Sequence, residues 1–283
     1  LPIRCELNPA AGQEEKCQLK KAETRKRIAV VGGGTAGMEC ARIGALRGHE
    51  IVLFERSNCL GGHLNEASIP KFKSGLRKFM EWQIRQMKKL NIDVQLNTQI
   101  SAEEMLNMQF DHIVVAVGSN YIIPPIKGVE RALKPDCYDA ELLQGRRVVV
   151  IGGGMVGAET ALHLAEANVG DVTVLEMRNG IAPEHDPVAR QILTERLSQR
   201  GVHVLLGCRA SEIEENGILY LDGNGNTKEI PAEVIILATG LKADSAQADA
   251  FMKLPNAVCV GDCIKAGKVY NATHEAWKVM LNL

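Results

Sequence analysis

Hydrophobic and polar positions along this chain change period in a repeating order. A β-branched run at 28–32 predicts a strand, apolar and small residues at helical spacing predict a helix over 36–47, and a second run predicts a strand over 50–55. A glycine-containing loop, NCLGGHLN, follows. Phe72, Leu76, Phe79, Met80, Ile84 and Met87 fall mostly three or four apart, which predicts one amphipathic helix over 71–90. Strands are expected at 93–97 and 112–117, the latter running into AVGS. After YIIPPIKGVE the order starts again: strand 147–151, helix 155–167, strand 172–176, helix 187–200, strand 203–206. GILYLDGNGNTKEIP alternates around a DGNGN turn and reads as a hairpin, and VIILATG closes the second series. The last stretch, AVCVGDCIKAGKVYNATHEAWKVML, is strand, turn and helix, too short to stand alone. It is expected to return to the first sheet, which makes the second unit an insertion. The expected fold class is α/β. Residues 1–26 read as a linker or tail, 27–121 with 243–283 as one discontinuous domain, and 122–242 as the other.

Each series contains the same glycine-rich sentence, RIAVVGGGTAGMECA at 27–41 and RVVVIGGGMVGAETA at 147–161. Strand, G-x-G-x-x-G and helix form a turn whose helix N-terminus faces an anion. Gly32 and Gly152 would permit the tight turn, Gly34 and Gly154 the approach of backbone to a pyrophosphate, and Gly37 and Gly157 close helix–strand packing. Glu55 and Glu176, 23 and 24 residues beyond the first glycine of each motif, end the next strands where a carboxylate accepts from ribose hydroxyls. A lone G-x-G-x-x-G says little. Two, each with strand, helix and acid in place, predict two Rossmann-like dinucleotide-binding domains. Glu176 would accept from a 2′-hydroxyl and repel a 2′-phosphate, favouring NADH, although Arg178 could pair with a phosphate and leaves NADPH open.

Composition narrows the class. The 283 residues are 46% hydrophobic and 24% charged with a net charge of −1, which argues against a general nucleic-acid or membrane surface. KKAETRKR at 20–27 is the one basic run and reads as a solvated linker. No apolar stretch reaches the roughly 18–20 residues that span a bilayer, and no signal peptide opens the chain. Eight scattered cysteines do not resemble a secreted disulfide framework, so a cytoplasmic location is expected. No C-x-x-C occurs, Cys259 and Cys263 flank a Gly-Asp turn, Cys40 reads as packing, and no zinc motif is present. The start at Leu1 rather than Met suggests a piece of a longer protein.

The paired fingerprints, AVG at 116–118, ATG at 238–240 and VGDC at 260–263 resemble the pyridine nucleotide-disulfide reductase fold. More narrowly, LGGHLNEASIPKFKSGLRKFMEWQIRQMKKLNIDVQLNTQI and the opening RCELNP resemble the C-terminal half of the Old Yellow Enzyme-like iron–sulfur flavoenzymes. That group includes 2,4-dienoyl-CoA reductase, enoate reductase and trimethylamine dehydrogenase. The resemblance runs from Cys5 to His274 and implies that the NAD domain is inserted into the FAD domain. It assigns FAD to Gly32, Gly34, Thr35, Ala36, Gly37, Glu55, Arg56, Gly61, Gly62, His63, Gly118, Gly261, Asp262, Thr273 and His274. It assigns the nicotinamide cofactor to Gly152, Gly154, Met155, Val156, Gly157, Glu176 and Gly240, with Glu159 and His274 as candidates near the reacting rings. Cys5 matches the fourth ligand of a [4Fe–4S] cluster whose other three ligands, like an FMN-binding barrel, belong to the missing part. The implied reaction carries a hydride from NADH to FAD and electrons onward through cluster and FMN to an activated C=C. Two alternatives stay open: a non-catalytic module holding ADP or FAD, and a free-standing ferredoxin-type reductase, which the RCELNP stub disfavours.

Overall fold

The computed structural model describes residues 4–15 and 17–283 and divides into two units. One takes in the chain as far as Ser68, Lys73–Asn120 and Lys242–Leu283; the other takes in Ile69–Phe72 and Tyr121–Leu241.

The first unit opens with β1 (Arg27–Val31), α1 (Thr35–Arg47) and β2 (Glu50–Phe54). Gly48, left-handed at φ 97°, ends α1 and lets its N–H reach the Ala45 carbonyl. A short α2 (Leu64–Ala67) and a 3₁₀ turn at 71–73 precede α3 (Ser74–Lys89), so the long amphipathic segment is broken at its N-terminal end. Then come β3 (Asp93–Gln95), α4 (Ala102–Leu106) with a Ser101–Glu104 capping box, and β4 (His112–Val115). The chain leaves through β5 (Ser119–Tyr121), whose partner β13 (Leu241–Ala243) brings it back. After α7 (Ser245–Phe251), the strand β14 (Ala257–Cys259) joins the opening sheet beside β4, in register Ala257–Ile113 and Cys259–Val115. All five strands are parallel, in the order β14-β4-β1-β2-β3. The last helix, α8 (Val269–Asn282), packs on α1 over a core of Ile28, Val30, Met38, Cys40, Ile43, Ala276 and Met280. The described residues before β1 form turns, and Ala10, Cys17 and Leu19 rest against that core.

The second unit repeats the order. β6 (Val148–Ile151), α5 (Met155–Glu166), β7 (Val172–Glu176), α6 (Pro187–Gln199), β8 (His203–Leu206) and β12 (Val234–Leu237) build a parallel sheet, β12-β6-β7-β8. Asp186 caps α6 by accepting from Val188 and Ala189 N–H, with Pro187 at the first helical position. The expected hairpin, β10 (Gly217–Leu221) with β11 (Thr227–Pro231), gains a third antiparallel strand, β9 (Arg209–Ile213). No described helix is long and apolar enough to cross a membrane.

Candidate functional site

In the first unit β1 ends at a turn that only glycine can make. Gly32 sits at φ 108°, and a Cβ there would collide with the Ala116 carbonyl; one on Gly37 would collide with the Gly32 carbonyl. The helix α1 begins at Thr35 and Ala36 with Gly34 as its N-cap and no side-chain cap. Gly61 lies alongside, donating its N–H to the Gly33 carbonyl at 3.0 Å, and Gly62 borders Gly34. Two strips of backbone therefore flank an uncapped helix start, which is a cradle for an anion.

Glu55 is buried at the end of β2 and accepts from Gly33 N–H at 2.6 Å and from Ser57 N–H and Oγ at 2.7 and 2.6 Å. A carboxylate offers about four lone-pair positions, so roughly one is left for a ribose hydroxyl. Arg56 beside it is exposed. Across the sheet end, Gly118 is left-handed at φ 78° with nothing within 4 Å of where a Cβ would lie. Gly261 and Asp262 form the 3₁₀ turn after β14; Asp262 accepts from Ser119 Oγ at 3.2 Å and from Gly267 N–H at 3.0 Å. His63 Nε2 lies 3.0 Å from the Ser119 carbonyl oxygen. The fold thus brings His63, Ser119 and Asp262 together from three distant parts of the chain.

Thr273 is fully buried in the second turn of α8, and its hydroxyl donates to the Glu6 carbonyl at 2.6 Å, with the Val269 and Tyr270 carbonyls also within reach. His274 turns the same way: Nε2 lies 3.0 Å from the Cys5 carbonyl oxygen and its ring stacks on Tyr270 at 3.8 Å between centroids. Both side chains tether the segment before β1.

Sequence reasoning missed Ser119 and Gln83. Gln83 is fully buried on α3, donates to the Thr35 carbonyl at 3.2 Å, and leaves Oε1 without a partner. Its signal was present, since a polar residue stood on the stripe that Met80 and Met87 bury.

The second unit repeats the turn. A Cβ on Gly152 (φ 106°) would strike the Ala238 carbonyl, and one on Gly157 the Gly152 carbonyl. Met155 and Val156 form the first turn of α5, and Gly240 is left-handed at φ 103°. Glu176 is 3% exposed and accepts from Gly153 N–H at 2.5 Å, Arg178 N–H at 2.7 Å and Arg178 Nε at 3.0 Å. Burial pushes its carboxyl upward, but the Arg178 bonds, the Gly153 N–H and the Arg178 charge outweigh burial and hold it below the ordinary range. Glu159, half-buried on α5, has His185 Nε2 at 4.0 Å.

His63 carries a pH consequence. Nδ1 is 2.5 Å from Glu66 Oε1 while Nε2 meets the Ser119 carbonyl. Two acceptors require a proton on both nitrogens, so the imidazolium is favoured. The Glu66 hydrogen bond raises its pKa, burial opposes, and the Glu66 charge, the Ser119 carbonyl and the Asp262 charge add to the rise. The stability this gives is complete below the free-histidine value of about 6.5 and is lost as pH rises through the raised folded value. Melting curves of cofactor-free protein should show the wild type losing its advantage over His63→Gln as pH rises above about 6.5. Parallel curves across that range would refute the charge assignment.

Cys5 is half-buried, and no group of three or more His, Cys, Asp or Glu side chains suited to a metal occurs among the described residues. Burial pushes the Cys263 thiol up to about 12 and raises Cys259 as well, so neither is a thiolate nucleophile at neutral pH.

With this geometry in place, comparison with known proteins is informative. The family model described as pyridine nucleotide-disulphide oxidoreductase matches residues 26–262. Bilirubin reductase of Mediterraneibacter gnavus is 36% identical over 283 residues, covering 97% of this chain and 43% of the relative. Cinnamate reductase of Clostridium sporogenes is 32% identical over 286 residues, covering 99% of this chain and 43% of the relative. Among solved structures, a 2-naphthoyl-CoA reductase complex superposes with a TM-score of 0.89 at 28% identity, over 99% of this chain and 43% of that one. The chain spans less than half the length of these relatives.

Proposed function

Because this chain belongs to the pyridine nucleotide-disulphide oxidoreductase family, we propose that its first unit holds FAD, its second holds NADH, and the module passes a hydride from one to the other. The observation that supports this best is the duplication of one turn, glycine for glycine and acid for acid, in two separate sheets.

The residues of the first unit fit a flavin dinucleotide. Gly34 opens onto the uncapped α1 start, Gly118 leaves clear space, and Gln83 Oε1 is a buried acceptor without a partner beside Thr35. The α1 N–H groups and the Gly61–Gly62 backbone would hold the pyrophosphate, Glu55 the adenosine ribose, and Asp262 a ribityl hydroxyl. Asp262 can do so because Ser119 and Gly267 already fix its carboxylate. In the second unit Glu176 would take the ribose hydroxyls of the nicotinamide cofactor, held in place by Gly153 and Arg178. The cofactors supply the hydride chemistry when bound, so the side chains have only to bind, orient and exclude water. No side-chain nucleophile is required.

The relatives' greater length supports a further domain, for which the resemblance suggests an iron–sulfur segment and an FMN barrel acting on an activated C=C. The eight free cysteines suit a reducing cytoplasm. Purified protein should be yellow, and its flavin absorbance should bleach on anaerobic addition of NADH. A colourless protein holding only ADP would replace this reading with a nucleotide-binding structural module.

A further inference from the structure

We infer that Glu184 is an internal competitor for the pyrophosphate position of the second nucleotide site, setting how tightly the exchanging nucleotide is held. The inference rests on the nucleotide reading of that unit. Glu184 Oε1 accepts the Met155 N–H, the first amide of α5, which the G-x-G-x-x-G turn offers to a phosphate. The same oxygen lies 3.0 Å from where a Cβ on Gly154 would be, the place kept bare for pyrophosphate, with Arg178 Nη2 3.6 Å from that point.

The first unit supplies the comparison. Gly61 donates to the Gly33 carbonyl there, as Ala182 donates to the Gly153 carbonyl at 2.8 Å here. Two residues further on, the first unit has His63, which turns to Glu66 and the Ser119 carbonyl. The second has Glu184, which turns inward. Backbone of the same design therefore meets a carboxylate in the second unit, where the matching position of the first is a histidine bonded to Glu66 and Ser119. A resident cofactor gains nothing from a competitor, whereas a nucleotide that must leave after each turnover does.

The energetics follow from charge. A carboxylate and a pyrophosphate cannot share one N–H, and each favours the positive end of the helix. Nucleotide binding must displace Glu184, so the apparent affinity is the intrinsic one scaled by the fraction of molecules in which Glu184 is away. Arg178 stays behind as the cation facing Gly154.

Calorimetric titration of FAD-saturated protein with ADP-ribose, NADH and adenosine tests this. Glu184→Ala should bind ADP-ribose and NADH roughly tenfold more tightly than wild type, with Glu184→Gln between them. Adenosine, which lacks the pyrophosphate, should bind all three proteins equally. ADP-ribose affinity that is unchanged or weaker in both variants overturns the inference and leaves the nucleotide reading standing. A matching gain for adenosine also overturns it, because the effect would then not act at the pyrophosphate. Failure of all three proteins to bind ADP-ribose overturns the nucleotide reading and the inference together.

Discussion

Gly37→Ala protein is expected to leave purification colourless, its bound flavin cut at least tenfold, whereas Gly157→Ala protein should remain yellow and no longer bleach with NADH. Each added methyl would meet the backbone carbonyl of the first fingerprint glycine, Gly32 or Gly152. A carbonyl cannot rotate away as a side-chain tip does, so helix and strand must separate. Overpacking of this kind costs about 1–3 kcal/mol, against a domain stability of roughly 5–15 kcal/mol. The units should stay folded while the turn proposed to bind phosphate is displaced, which circular dichroism can check. Absorbance after gel filtration, before and after anaerobic NADH, gives both readouts. Retention of both functions in both variants would sink the idea that these turns bind cofactors. The reverse pattern would exchange the two assignments.

The framework of the fold was legible because its signals are local. β-branched runs ending in glycine mark buried strands, and the run at AVC could only be accommodated by returning to an earlier sheet, where β14 pairs with β4. Glu55 and Glu176 were legible as strand-end acids, and both accept from the second glycine of their turns, Gly33 and Gly153. Contacts fixed by tertiary packing were not legible. Nothing near Thr273 or His274 signals that Glu6 and Cys5 will lie against them. Ser119 gains its meaning only when Asp262, 143 residues on, arrives beside it. Glu184 sits in an unremarkable APEHD loop, and only the folded backbone brings it to the start of α5.

Cofactor preference is the second large effect, and it turns on one clasp. Arg178 donates to Glu176 through its backbone N–H and Nε, with Nη2 3.4 Å from the other carboxylate oxygen. While that clasp holds, a 2′-phosphate would meet the buried Glu176 carboxylate, and the guanidinium is already engaged. Glu176→Ala removes the acceptor for a 2′-hydroxyl and frees Arg178 to pair with a phosphate. The ratio of NADPH to NADH affinity should then rise on the order of 100-fold, about 2.7 kcal/mol. The change also strips the Gly153 N–H of its partner, so a fall in thermal stability is expected alongside. Glu176→Ala/Arg178→Ala separates the two effects: it should share the lost stability and NADH affinity but gain nothing for NADPH. Equal NADPH gains in the single and double variants would show that Arg178 takes no part in the choice. Tighter binding of NADPH than NADH by the unmutated protein would mean that the clasp opens for a phosphate, and Glu176 would no longer be what decides between the two nucleotides.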